Sequence, residues 1–116
     1  MRRVAIVGSR DFVPGTAVKD FVAKLSGTDV EIVSGGARGV DLIAENSARL
    51  FNLPVKVFKA DWKAHGKRAG VVRNKEIVDY ADEIVAFWDG TSRGTKYTID
   101  FAKEAGKPVM IIMQME

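Results

Sequence analysis

The sequence predicts an α/β protein in which a parallel sheet is sandwiched between two layers of helices. Two observations carry this. Short continuous apolar runs, such as Val4 to Val7 and Ile84 to Trp88, alternate along the chain with longer segments of helical periodicity. Runs of that kind read as strands buried on both faces, which is the mark of parallel strands covered by crossover helices.

Each element has its own warrant. A first strand over about Arg3 to Val7 leads to a helix over about Thr16 to Leu25, whose Val18, Phe21, Val22 and Leu25 share one face and which Ser26-Gly27 ends. A second strand, about Asp29 to Val33, runs into Ser34-Gly35-Gly36 and a helix from about Gly39 to Phe51. The inward stripe of that helix, Val40, Ile43, Ala44, Ser47, Ala48 and Phe51, is small except at its end, so the helix can lie close to the sheet. Asn52-Leu53-Pro54 stops it, and Val55 to Phe58 alternates as an edge strand does.

From Ala60 to Arg73 the periodicity lapses, which predicts a functional loop carrying Trp62, His65, Lys67 and Arg68. Beyond it come a helix over about Val72 to Tyr80, a strand over about Glu83 to Phe87, a loop from Asp89 to Gly94, a helix over about Thr95 to Ala105 and a last strand over about Val109 to Ile112. Five strands and four helices in this alternation give a single domain over residues 1–116, a Rossmann-like three-layer sandwich. Right-handed crossovers most simply order its strands 3-2-1-4-5. The last strand is then an edge that is apolar on both faces, which predicts a homo-oligomer or an overlying helix.

Composition bounds the function. With 116 residues, 47% of them hydrophobic and 28% charged, the chain is an ordinary folded domain. Its lack of cysteine excludes disulfides, thiolate metal sites and thiol catalysis, and a lone histidine, His65, argues against zinc. No apolar run approaches the roughly 20 residues that span a bilayer, and the run behind Arg2-Arg3 is too short for a signal sequence. The expectation is a cytoplasmic protein with no membrane partner. The net charge of +3 admits an anionic partner without selecting one.

In an open parallel sheet the ligand sits beyond the carboxyl ends of the strands, where the chain order reverses. Gly8-Ser9-Arg10, the turn Ser34-Gly35-Gly36-Ala37-Arg38-Gly39-Val40-Asp41, Asp61-Trp62 and Trp88-Asp89-Gly90-Thr91-Ser92-Arg93-Gly94-Thr95 all fall there. In the second of these, glycines let the backbone approach an anion, the helix start offers amide donors, and Arg38 adds a bidentate cation. A plain tight connection, with Asp41 as a helix-start charge, is the alternative. The segment before Thr95 either caps its helix through Ser92 or Thr95 or binds the same anion.

Arg73-Asn74 is predicted at a helix start, where Asn74 caps and Arg73 either reaches the anion or lies on the surface. Trp62 and Trp88 are candidate base-stacking platforms, with core or rim packing as the alternative for each. Asp11, Asp41, Asp61 and Asp89 are the carboxylates near the crevice, and Asp41 and Asp89 are the candidates for catalysis if the ligand is turned over. No motif requires a cofactor, and magnesium would enter only with a phosphate ligand.

Gly8-Ser9-Arg10, Ser34 to Asp41, Ala60-Asp61-Trp62, Gly70 with Arg73-Asn74, and Trp88-Asp89-Gly90 with Ser92-Arg93-Gly94-Thr95 together resemble the YspA-like branch of the SLOG superfamily. That superfamily joins the DNA-processing protein A family and the Lonely Guy phosphoribohydrolases. The resemblance implies a Rossmann-like domain that binds a nucleotide or a nucleotide-derived small molecule. Ser34 to Asp41 is close to the Ser-Gly-x-Ala-Arg-Gly-Ile-Asp motif of the DNA-processing proteins, whose binding of single-stranded DNA makes nucleic acid an alternative partner. The phosphoribohydrolases carry Pro-Gly-Gly-x-Gly-Thr followed by glutamates; here Lys96-Tyr97-Thr98 follows Gly94-Thr95, and the proline and paired glycines are absent. The expectation is therefore a binding domain that senses or sequesters its ligand, with a nucleotide-processing enzyme as the alternative.

Overall fold

A computed structural model describes residues 1–114. Five parallel strands, β1 (Arg2–Gly8), β2 (Val30–Ser34), β3 (Val55–Val57), β4 (Glu83–Trp88) and β5 (Val109–Met113), form one sheet in the order β3-β2-β1-β4-β5. This is the Rossmann-like order expected from the alternation. Helices α1 (Thr16–Lys24) and α2 (Val40–Leu50) cover one face of the sheet, and α4 (Ala69–Tyr80) and α5 (Arg93–Glu104) cover the other.

The period of two in the strands decides which core each side chain enters. Val4, Ile6, Val85 and Phe87 point to α1 and α2, while Ala5, Val7, Ile84 and Ala86 point to α4 and α5. Phe12 and Phe21 meet the Phe87 ring edge-on, at centroid distances of 5.4 and 6.0 Å. A side chain buried like Phe87 contributes roughly 1.5–3 kcal/mol. On α2 the buried residues Val40, Ala44, Ser47 and Ala48 are small, which brings that helix close to β1 and β2.

One expectation fails. The stretch Ala60 to Arg73 is mostly helical: α3 (Trp62–His65), a 3₁₀ turn (Gly66–Arg68) and the first turn of α4, which starts at Ala69. Asp61 caps α3 by accepting a hydrogen bond from the Ala64 amide at 3.1 Å. Residues 61–68 are all exposed, so no inward stripe exists to give the segment a period. At the other edge of the sheet Met110, Ile111 and Met113 of β5 are exposed, and the outer side of β5 pairs with no strand among the described residues. No described helix is long and apolar enough to cross a membrane.

Candidate functional site

The turn after β2 is held from three sides. Ser34 is fully buried, and its hydroxyl donates to Glu45 Oε2 at 2.7 Å. Arg73 Nη1, from α4, donates to the Gly35 carbonyl at 2.6 Å. The Ala37 amide donates to Asp41 Oδ2 at 3.2 Å, so a carboxylate of the chain itself occupies part of the amide cradle expected to face a ligand. Gly39 has φ of +77°, and a Cβ there would lie 2.2 Å from the Arg10 carbonyl oxygen. The loop carrying Arg10 thus lies directly on the start of α2, which only glycine at 39 allows.

Burial sets the electrostatics of this turn. Asp41 is 6% exposed and Glu45, one turn along the same helix face, 7%. Desolvation pushes the Asp41 carboxyl up from 3.8 to about 6, against the pull of the Ala37 amide and the Arg73 charge.

The turn after β4 is built around Asp89. Its Oδ1 accepts from the Thr91 and Ser92 amides at 2.9 and 2.8 Å, which holds this carboxylate below its ordinary range. The Asp89 amide donates to Ser9 Oγ at 3.1 Å, stitching the ends of β1 and β4 together. Ser92 Oγ accepts from the Thr95 amide at 3.4 Å and caps α5. Asn74 accepts from Arg73 Nε at 2.9 Å and donates to the Gly94 carbonyl at 3.4 Å. Because α4 begins at Ala69, Asn74 does not cap its own helix as expected; with Arg73 it links the two glycine-bearing turns instead.

Between these turns lies a crevice of about 400 Å³ at the carboxyl ends of β1 and β4. Gly8, Arg10, Ala37 and Asp41 line it on the α2 side, Arg73 and Asn74 from α4, and Asp89, Ser92, Gly94 and Thr95 on the α5 side. The size suits a small-molecule ligand. A second hollow, of about 470 Å³, shares Arg10, Ala37 and Arg73 with the first and adds Gly35, Gly36, Arg38, Lys59 and Trp62.

Other expected residues lie outside both hollows. Ser9 and Ser34 are buried and hold backbone or carboxylate groups, Gly39 packs on Arg10, and Gly90 and Arg93 are exposed beside the second turn. Trp88 packs against the core under α4 and α5 and donates through Nε1 to the Ser92 carbonyl at 3.1 Å, so its indole braces the turn. Trp62 is 61% exposed on the wall of the second hollow. Gly8 carries a packing constraint: a Cβ there would sit 2.5 Å from the Phe87 carbonyl oxygen.

Sequence reasoning missed Glu45 and Lys59, the first a charge on a helix with no sign of its burial, the second one residue beyond a short edge strand. Of Lys96, Tyr97 and Thr98, only Thr98 lines the crevice, and its hydroxyl donates to the Gly94 carbonyl at 3.1 Å. Lys96 pairs with Asp100 at 3.0 Å on the exposed side of α5. Among the described residues no cluster of His, Asp or Glu could hold a metal ion.

Comparisons with known proteins agree with this architecture. Residues 1–56 match the family described as DNA recombination-mediator protein A. The Gene 61 protein of Mycobacterium phage D29 is 43% identical over an aligned length of 119 that takes in 95% of this chain and 95% of that one. DNA processing protein A from Streptococcus pneumoniae superposes with a TM-score of 0.83 at 21% identity, over 96% of this chain and 50% of that one. DNA processing protein A from Helicobacter pylori gives a TM-score of 0.75 at 22% identity, over 98% of this chain and 66% of that one. The chain therefore spans about half the length of the first of these structures and about two thirds of the second. The chain belongs to the family of the phage Gene 61 protein, and it is similar to DNA-processing protein A in fold and over its first 56 residues.

Proposed function

We propose that this domain binds the phosphate-bearing part of a nucleotide in the crevice between the two turns, and that it senses or sequesters that ligand. The observation that carries the reading is the convergence of the α2 and α5 N-terminal turns on one hollow that also contains Arg10 and Arg73. Helix starts offer amide donors and a positive dipole end, and the two arginines add charge that suits a phosphate. Thr98 stands where the phosphoribohydrolase glutamates are expected, so the α5 wall supplies no carboxylate for an oxocarbenium ion at that position. This favours binding over glycosidic cleavage.

Calorimetry with nucleoside mono- and diphosphates, cyclic dinucleotides and ADP-ribose tests the reading. One compound binds tightly, and Arg10→Ala, which removes an exposed cation shared by both hollows, weakens it at least about tenfold. Unchanged affinity in that variant removes the crevice from consideration. Recovery of the bound compound intact after long incubation separates binding from turnover.

A second reading, a single strand of DNA, is favoured by the groove that continues past Arg10 to Arg38, Lys59 and the exposed Trp62. Such a groove follows a backbone with its cations and stacks a base on its aromatic ring. The Helicobacter pylori relative is described as binding single-stranded DNA. Arg10, Arg38, Lys59 and Arg73 make four groove cations, which predict a log K against log salt slope of about −2 to −3 for an oligothymidylate; a flat slope excludes the strand. Self-association through the uncovered β5 edge belongs to the same proposal and is read by sedimentation, with Met110→Lys as the disrupting variant.

A further inference from the structure

Asp41 is the one buried carboxylate on the crevice wall, and its position has a consequence for how an anion enters. Its Oδ2 and Arg73 Nη1 both abut Gly35, within 2.8 and 3.0 Å of where a side chain on that residue would begin. Yet the two are not within salt-bridge distance, because Arg73 spends Nη1 on the Gly35 carbonyl and Nε on Asn74. The charged groups lining the crevice with Asp41 are Arg10 and Asp11 from the β1–α1 loop, Arg73 from α4 and Asp89 from the β4–α5 loop; Glu45 is one turn behind on α2. Asp89 has its charge stabilised by two amides, and Glu45 accepts from Ser34. Asp41 draws on the Ala37 and Gly35 amides and on the Arg73 charge, yet it is nearly shut off from solvent, and the cost of burying its charge outweighs them, so it gains a proton readily when another anion arrives.

We infer that the crevice takes up one proton at Asp41 when it takes up an anionic ligand, so that phosphate binding is coupled to pH. The inference rests on the proposed nucleotide-binding reading and deepens it. A phosphate among Arg10, Arg73 and the helix starts lies beside the Asp41 carboxyl and raises its proton affinity beyond what burial has done. By linkage, affinity falls as pH rises between the free and the bound proton affinities, by up to about tenfold per pH unit for one proton. Once neutral, Asp41 changes from an acceptor that repels a phosphate into a donor that can bond one.

The probe is the dinucleotide thymidylyl-thymidine, whose phosphodiester keeps one charge across the range pH 5 to 8. Its affinity for the wild-type chain is expected to fall with rising pH above about 6. Asp41→Asn should bind with a flat pH profile, and His65→Gln, which alters an exposed histidine outside both hollows, should keep the wild-type slope. A flat wild-type profile, or a slope that survives in Asp41→Asn, overturns the coupling and leaves the binding function standing. Absence of binding at every pH overturns the binding reading and this inference with it. Should Asp41→Asn not fold, calorimetry of His65→Gln in two buffers of different protonation enthalpy counts the protons directly: uptake approaching one supports the coupling, and none refutes it.

Discussion

Arg73 Nη1 reaches from α4 to the carbonyl of Gly35 at 2.6 Å, and this single contact fastens the turn after β2 to the opposite layer of the sandwich. Through Asn74, which bonds both Arg73 Nε and the Gly94 carbonyl, the same residue reaches the turn before α5. The width of the crevice is therefore set by one guanidinium and one amide.

Replacing Arg73 should show this. Arg73→Ala removes two charge-assisted or side-chain hydrogen bonds from half-buried groups and should cost about 2–3 kcal/mol in urea denaturation. Hydrogen exchange should quicken at residues 34–39 and 92–95 together. Arg73→Lys should recover little, because an ammonium cannot serve Gly35 and Asn74 with a planar fork. Faster exchange at only one of the two turns would show that they are not linked.

The glycine at 39 gives a sharper stability test. Gly39→Ala combines a positive φ with a Cβ 2.2 Å from the Arg10 carbonyl oxygen, whereas Gly27→Ala meets the same φ penalty with nothing within 4 Å. The exposed site should cost about 1 kcal/mol. Gly39→Ala should cost about 3 kcal/mol or more, because the Arg10 loop must move. Equal losses on thermal or chemical unfolding would contradict the packing described.

Stability should also vary with pH through Asp41. Its folded value of about 6 lies above the ordinary 3.8, so the folded state holds the proton more tightly than the unfolded chain. The stabilising contribution is thus full below about 3.8 and is lost as pH rises to about 6, a change on the order of 3 kcal/mol at most. Asp41→Asn should be at least as stable as wild type at pH 7 and should flatten the profile between pH 4 and 6. Asp89 acts in the opposite sense, its lowered value favouring the fold above the ordinary carboxylate range and losing that as pH falls. A wild-type profile that rises from pH 4 to 6 would show that Asp41 is not desolvated as described.

The cap of α5 offers a fourth check. Ser92→Ala removes the acceptor for the Thr95 amide and should cost about 1 kcal/mol, while Ser92→Asp should retain most of it and add a favourable charge at the helix start. If Asp also weakens phosphate binding while Ala does not, the α5 turn faces the ligand; equal binding by both variants places the ligand elsewhere.

Much of this was legible in the sequence, for reasons that particular residues make plain. The strand order followed from runs such as Val4 to Val7, where both faces are buried and β-branched residues dominate. The convergence of Ser34 to Asp41 and Ser92 to Thr95 followed from their places after β2 and β4. Residues 61–68 carry no helical period because every one is exposed, and the Asp61 cap is the one local sign of their helix. Arg73 and Asn74 fell a turn deeper in α4 because Ala69 and Gly70 are too small to announce a helix. The filling of the turn by Asp41 depends on which way one side chain folds back, and no spacing rule carries that information.

Amide chemical-shift mapping during titration with a nucleoside monophosphate locates the ligand's phosphate, which is proposed to lie between the two turns. The largest shifts should fall at Gly8, Ala37 and Ser92 to Thr95, with smaller ones at Lys59 and Trp62 if the base extends along the second hollow. Shifts concentrated instead at the far end of the sheet, around Ser26 to Asp29 and Asn52 to Leu53, or no saturable shifts at all, would contradict it.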